Sequence, residues 1–231
     1  MDIFQDNFFK KGKHVRWVSL NKTNPFAFTF DYHFWHDTIS TKLTNKLIKL
    51  FLTKKEYNVN NKKYIDQTKN DIYWIENNVF KLKNQEIKLL KKEIKRILNC
   101  FYKQINFNTD EQFYIQGWPS ILKKNQYHKE HFHEAHEFSF LSGNIILTDN
   151  KTTTDYYIHP RSCQFGYYKC KNYPGSITIF SSFIPHKVDT IEDEFRMSIG
   201  FNLYTQTGLN YFNKTIENQD PLSPINYAVK F

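Results

Sequence analysis

The chain has no long apolar run. Nothing in its 231 residues approaches the roughly 18 to 20 consecutive apolar side chains of a membrane-crossing helix, so no membrane partner is expected. Met1-Asp2-Ile3-Phe4-Gln5-Asp6 lacks the basic-then-apolar order of a secretory signal, and the expected compartment is the cytoplasm. Cysteine is sparse as well. Cys100, Cys163 and Cys170 are odd in number, and their spacing fits neither a disulfide framework nor a C-x-x-C zinc pair, so they read as ordinary thiols. Internal repeats and low-complexity tracts are absent beyond a general bias to Lys and Asn. Scarcest among the charged residues is arginine, with Arg16, Arg96, Arg161 and Arg196 the only ones among 32 basic residues. The formal charge of +9 is therefore mostly a lysine background. Lysines that neutralise phosphates release counterions, which keeps nucleic acid in view as a partner without favouring it. Each arginine, as a planar five-donor fork, draws more attention than the lysine total.

What is present is an ordinary folding composition, 40% hydrophobic and 24% charged, which excludes global disorder. Between Thr38 and Leu52, Ile39, Leu43, Leu47, Leu50 and Phe51 fall near helical spacing, with Asp37 and Thr38 available as caps. A second helix is predicted from Gln85 to Gln104, with Ile87, Leu90, Ile94, Ile97, Leu98 and Phe101 on one face. Its opposite face carries Lys88, Lys91, Lys92, Lys95 and Arg96, a solvated surface or a seat for an acidic partner. The Asn- and Lys-rich stretch from Tyr57 to Asn70 reads as a surface loop. Phe26, Phe28 and Phe30 alternate as an edge strand packed on the core would, or as part of a pocket lid. After Asn108 the texture becomes short aromatic and β-branched runs: Phe113 to Trp118, Phe138 to Thr148, Thr153 to Ile158, Ser176 to Phe183 and Arg196 to Tyr204. The expectation is a mainly β chain with N-terminal helices: residues 1–108 a helical scaffold packed on the core, residues 109–231 an antiparallel sandwich or jelly roll, the two forming a single compact unit.

Four of the nine histidines crowd into Tyr127-His128-Lys129-Glu130-His131-Phe132-His133-Glu134-Ala135-His136. Residues i and i+2 of a strand share a face, so His131 and His133 can offer two imidazoles to one metal while Phe132 turns into packing. His186, delivered after Phe180-Ser181-Ser182-Phe183-Ile184-Pro185, is the obvious third ligand. Three protein ligands on one side of a metal leave positions open for substrate. His128 with Glu130 competes as a literal H-x-E pair, and His136 remains a further alternative. Ten residues beyond His186 stands Arg196, and on a strand it shares a face with Ser198, which together make a clamp for a carboxylate. Trp118 reads as core or as pocket wall, and Arg161 as a structural residue or a support for the site. His14, His33, His36 and His159 read as ordinary hydrogen-bonded histidines.

A metal-binding histidine followed about ten residues later by Arg-x-Ser resembles the iron and 2-oxoglutarate dependent oxygenases. Trp118, the histidine cluster, Leu141-Ser142-Gly143, His159-Pro160-Arg161, Pro174-Gly175-Ser176, His186 and Arg196-Met197-Ser198 come in an order similar to one such family of bacteria and phages, over roughly residues 113 to 204. The resemblance implies a double-stranded β-helix, the cupin-like jelly roll, holding Fe(II) on the histidines and 2-oxoglutarate as cosubstrate, its distal carboxylate on Arg196 and Ser198. It further implies a dioxygenase, most often a hydroxylase of an unidentified substrate that releases succinate and CO2. Two features depart from the pattern: the commonest ligand set is H-x-D or H-x-E with a distal His, where His131-Phe132-His133 has a second histidine, and three extra residues separate His133 from Ser142-Gly143. The rival readings are a three-histidine cupin-type metalloenzyme that needs no keto acid, and a basic nucleic-acid-binding module built on Lys88 to Lys103.

Overall fold

A computed structural model describes residues 12–19, 30–53, 78–133, 140–157, 167–215 and 227–231. In chain order the elements are β1 (Lys13–Ser19), β2 (Phe30–Thr38), α1 (Thr41–Thr53), a 3-10 turn (Val79–Lys81), α2 (Gln85–Gln104), β3 (Phe113–Lys123), β4 (His128–His131) and β5 (Leu141–Ile146). There follow β6 (Thr153–Tyr157), β7 (Tyr167–Lys171), β8 (Ser176–Ser181), β9 (His186–Val188), β10 (Phe195–Thr205), α3 (Gln206–Thr215) and β11 (Val229–Lys230). The strands form two antiparallel sheets, a large one in the order β1-β2-β8-β5-β10-β3-β11 and a small one in the order β4-β9-β6-β7. Two facing antiparallel sheets with this interleaved order make a jelly roll.

The two helices form where the apolar spacing predicts them. In α2 the six predicted apolar residues are all buried, and the helix stops where Asn106 takes a left-handed φ of 54°. In α1 the cap is Ser40, not Asp37 or Thr38: the Ser40 hydroxyl accepts from Leu43 N at 3.3 Å, while Asp37 accepts from the Thr38 backbone at the end of β2. Both helices pack on one face of the large sheet. Leu43, Leu47 and Phe51 of α1 and Ile94, Ile97 and Phe101 of α2 share a core with Met197, Ile199, Phe201 and Leu203, alternate residues of β10. Burying each such side chain contributes about 1.5 to 3 kcal/mol.

The N-terminal part is not purely helical, as the sequence suggests, because β2 lies inside the large sheet between β1 and β8, with Trp35 paired to Ile179. Of the predicted strand through Phe26, Phe28 and Phe30, only Phe30, the first residue of β2, lies within the described residues. Apolar alternation is weak here because His36 and Asp37, polar residues, are both buried. Among the described residues no helix is long and apolar enough to cross a membrane.

The period-2 alternation of β10 sorts its residues onto opposite walls. Met197, Ile199, Phe201 and Leu203 face the helices; Arg196, Ser198, Gly200, Asn202 and Tyr204 face the small sheet. Gly200 matters because the Trp118 indole lies over it, and a Cβ there would sit 3.0 Å from Trp118 Cε2 and Nε1. The inner wall is thus polar, with Ser142 and Asn144 of β5 paired to Asn202 and Gly200. A polar interior between two sheets is where a ligand pocket belongs.

Candidate metal centre and anion clamp

The ligand region begins with a break in register. His128 pairs with Val188 and His131 with His186, so three steps on β4 oppose two on β9, a β-bulge. The extra residue brings His128 and His131 to the same side, ring centroids 5.9 Å apart, and leaves Glu130 on the opposite face, bonded to the Tyr157 hydroxyl. Glu130 is not among the groups that converge with His186. Beyond the bulge the chain continues with His133 N donating to Ser182 O at 3.0 Å, which fixes His133 beside the end of β8.

His131, His133 and His186 converge, their candidate ligand atoms all within 4.8 Å of one another. Ring centroids lie 4.4 Å apart for His131 and His186, 5.0 Å for His133 and His186, and 5.5 Å for His131 and His133. His131 is exposed as a residue while its ring lies against His186. Burial disfavours the imidazolium form: it lowers the pKa of His131, sets that of His133 at about 3, and puts that of His186 well below the ordinary value, with the neighbouring imidazoles adding to the effect for the last two. The rings are therefore neutral at physiological pH, as a metal requires. Their protons are placed by the acceptors around them. His131 Nδ1 lies 2.8 Å from Lys129 O and His186 Nδ1 lies 3.1 Å from Ile184 O. A carbonyl only accepts, so Nδ1 carries the proton in both and Nε2 keeps its lone pair free. Three neutral imidazoles with such backing fit a divalent transition metal.

His128 lies beside His131 but is not one of the three converging histidines, its Nε2 being 2.8 Å from the Ser120 hydroxyl. Trp118 is half-buried with its ring 5.6 Å from His133, so it forms part of the wall beside the cluster. Phe132 does not turn into packing as its alternation suggests; it is 53% exposed, because the chain leaves the sheet at His131. His136 and Arg161 lie outside the described residues, as does His159. His14 and His33 stack on each other across β1 and β2, and His36 is buried between Thr178 and Tyr168, all three away from the cluster.

Arg196 is the second feature of the inner wall. It is 2% exposed, its Nη1 donates to Ser198 Oγ at 2.8 Å and Nη2 to Thr154 Oγ1 at 3.4 Å, and its buried Nε has no partner. Burial pulls its pKa down to about 10, which leaves it charged at neutral pH. Arg16 pairs with Asp31 and Arg96 with Asp37 and Glu93, whereas Arg196 has no carboxylate among the described residues. A buried, protonated and unpaired guanidinium is costly, and an anion entering the cavity would relieve it. Thr154, which Arg196 touches, lies two residues along β6 from Tyr156, the residue paired with His186. The clamp, through Thr154, and the metal ligands thus face the same interior from neighbouring positions on the small sheet.

Residues that sequence reasoning missed are Asn202, Thr154, Tyr156 and Ser120, all inward-facing. For Asn202 a signal existed, since it shares the parity of Arg196 and Ser198 on one strand.

No protein-family model matches the chain, and no curated protein does. Among solved structures, a Pseudomonas putida prolyl-4-hydroxylase superposes over 75% of this chain and 86% of its own, at 8% identity and a TM-score of 0.52. An oxidoreductase of the 2OG-Fe(II) oxygenase family from Burkholderia pseudomallei matches 53% of this chain and 60% of its own, at 15% identity and a TM-score of 0.43. A Trichoplax adhaerens prolyl hydroxylase, solved with a hypoxia inducible factor peptide fragment, matches 53% and 58%, at 12% identity and a TM-score of 0.42. The three-histidine cluster and the buried arginine thus stand on the inner wall of a jelly roll that has the fold of the Pseudomonas prolyl-4-hydroxylase.

Proposed function

We propose that this chain is an Fe(II)- and 2-oxoglutarate-dependent oxygenase, a dioxygenase that hydroxylates a substrate still to be identified and releases succinate and CO2. The observation that carries the reading is Arg196, a buried cation without a carboxylate among the described residues, facing the same interior as three neutral, converging histidines. A buried anion-binding guanidinium in the same interior as a metal site suits a dicarboxylate with one end at the metal and the other at the clamp. A three-histidine metalloenzyme without a keto acid would leave this arginine unexplained.

His131, His133 and His186 would hold the iron through their imidazole nitrogens. When bound, iron supplies the activation of dioxygen that amino-acid side chains lack. Arg196 and Ser198 orient the cosubstrate: the guanidinium offers charged donors, and Ser198, already bonded to Nη1, aligns the fork. Tyr156 and Phe180 pack against His186 with ring centroids at 5.6 and 5.0 Å, excluding water from one flank of the cluster. The Trp118 indole covers the His133 flank.

The test is succinate formation from 2-oxoglutarate under air with added Fe(II), without any added substrate, since uncoupled turnover reports the cosubstrate alone. Activity should be measurable and should vanish in His186→Ala. Absence of a metal-to-ligand charge-transfer band when 2-oxoglutarate is added anaerobically to the Fe(II)-loaded protein would overturn the proposal in favour of a keto-acid-independent metalloenzyme.

A further inference from the structure

A buried chain of hydrogen bonds runs from His133 along the inner wall, away from the arginine. His133 Nδ1 faces Asn202 Oδ1 at 2.5 Å and Ser142 Oγ at 2.9 Å. Asn202 Nδ2 donates to the Tyr204 hydroxyl at 3.1 Å, and that hydroxyl donates to Gln116 Oε1 at 3.2 Å. Ser142 donates to the same Asn202 oxygen at 2.8 Å and lies 3.0 Å from Ser182 Oγ. Asn202, Tyr204, Gln116, Ser142 and Ser182 are all buried. Apolar side chains would fill these positions at less cost, so a polar chain this long calls for a reason.

The reason lies in the proton of His133. His131 and His186 each meet a carbonyl, which can only accept, so their Nδ1–H form is settled by backbone alone. His133 instead meets a side-chain amide, which presents either an oxygen or an NH2 depending on which way it is turned. With the oxygen toward the ring, Nδ1 holds the proton and Nε2 is free. With the NH2 toward the ring, the proton moves to Nε2 and the ligand is lost. A carboxylate in this position, as in the commonest ligand set of such sites, would need no such control; a histidine does.

We propose that Asn202 is a positioning residue that holds the proton of His133 on Nδ1 and so keeps Nε2 open to metal, with Tyr204 and Gln116 fixing which way the Asn202 amide points. Asn202 does not touch the metal in this scheme. Its oxygen accepts from two donors, His133 Nδ1–H and Ser142 O–H, while its NH2 is turned toward Tyr204. Turning the amide over would set its NH2 against the ring nitrogen and its oxygen against Tyr204, which would then have to donate to it and accept from Gln116. The direction of the whole chain is thus one joint choice, and the end of it that matters is His133.

The inference rests on His133 being a ligand, and two independent readouts separate it from that reading. The first is the His133 tautomer in metal-free protein, read by long-range 1H–15N correlation with labelled histidine. The second is Ni(II) affinity by calorimetry. Wild type should show Nδ1–H at His133. Asn202→Ala should shift His133 toward Nε2–H and weaken Ni(II) binding about 10- to 100-fold, the usual effect of losing a residue that orients a ligand. Asn202→Asp, whose carboxylate only accepts, should restore both. Tyr204→Phe keeps the ring and removes the hydroxyl that accepts from the Asn202 amide; it should move both readouts in the same direction by less, and it carries the test if Asn202→Ala fails to fold. A wild-type His133 protonated on Nε2, or an Asn202→Ala or Tyr204→Phe protein with wild-type tautomer and affinity, overturns the proposal. His133→Ala with unchanged Ni(II) affinity would instead overturn the ligand assignment.

Discussion

Replacing Arg196 with methionine should make the ligand-free protein more stable and its cosubstrate binding weaker. The guanidinium is 2% exposed, has one good hydrogen bond, to Ser198, and leaves Nε without a partner. Burial brings its pKa to about 10 from the ordinary 12.5, which corresponds to about 3 kcal/mol of unfavourable desolvation at ~1.4 kcal/mol per unit. Methionine fills similar space without charge. Against the relief stands the Ser198 hydroxyl, which loses its partner at a cost of about 1 kcal/mol or more. The net expectation is a gain of about 1 to 2 kcal/mol, in line with other buried charges replaced by apolar side chains. At this chain length each kcal/mol raises Tm by about 2 to 4 °C. Binding moves the other way: loss of a charged hydrogen bond weakens 2-oxoglutarate by about 1.5 to 3 kcal/mol, roughly 10- to 150-fold. Thermal melts with and without the keto acid, plus calorimetric titration into the Ni(II)-loaded protein, measure both. Wild type should gain Tm on adding 2-oxoglutarate, while Arg196→Met should start higher and gain little. An Arg196→Met protein that melts lower and binds 2-oxoglutarate as wild type does would refute the reasoning, because the arginine would then be structural.

The ligand assignment predicts that His186→Ala abolishes Ni(II) binding, while His128→Ala, which removes a ring bonded to Ser120 and not one of the three converging histidines, retains it to within a few-fold; equal losses would make His128 a ligand. Acid should destabilise the metal-free fold. His36, His128 and His133 titrate at about 3 because burial disfavours their charged forms, against about 6.5 in the unfolded chain. Below pH 6.5 the unfolded state takes up more protons, so stability present above that pH is lost progressively toward pH 3, by ~1.4 kcal/mol per pH unit for each of the three. Denaturant midpoints at several pH values measure this slope. His36→Gln, far from the metal ligands, should reduce it by one proton, and an unchanged slope would contradict the assigned burial effect.

What could be read from the sequence depended on whether one face of an element meets an apolar core. In α2 the spacing of Ile87, Leu90, Ile94, Ile97, Leu98 and Phe101 reports the sheet it packs on, and the predicted bounds, Gln85 to Gln104, are those observed. The five runs predicted as strands after Asn108 coincide with β3, β5, β6, β8 and β10, each carrying β-branched or aromatic residues. The strands that escaped include β1 and β11 of the large sheet and β7 and β9 of the small one, whose inner face carries His131, His186 and Tyr168 and whose outer face carries Lys169 and Lys187. Polar residues on both faces erase the alternation that marks a strand. The functional interior is the cause: a wall that must present imidazoles, hydroxyls and a guanidinium cannot also look hydrophobic. The same physics explains the ligand ambiguity. His128-Lys129-Glu130 and His131-Phe132-His133 are equivalent as residue patterns, and which residue comes to lie beside His186 is set by the register of β4 against β9, a long-range pairing that no local spacing encodes. Arg196 escaped this limit because its signal is one of composition and parity together: a rare arginine in a strand, two residues before a serine, on the face opposite Met197, Ile199 and Phe201. Asn202 carries the same parity and could have been found by the same rule, that a polar residue in phase with a known site residue on an otherwise apolar strand faces that site.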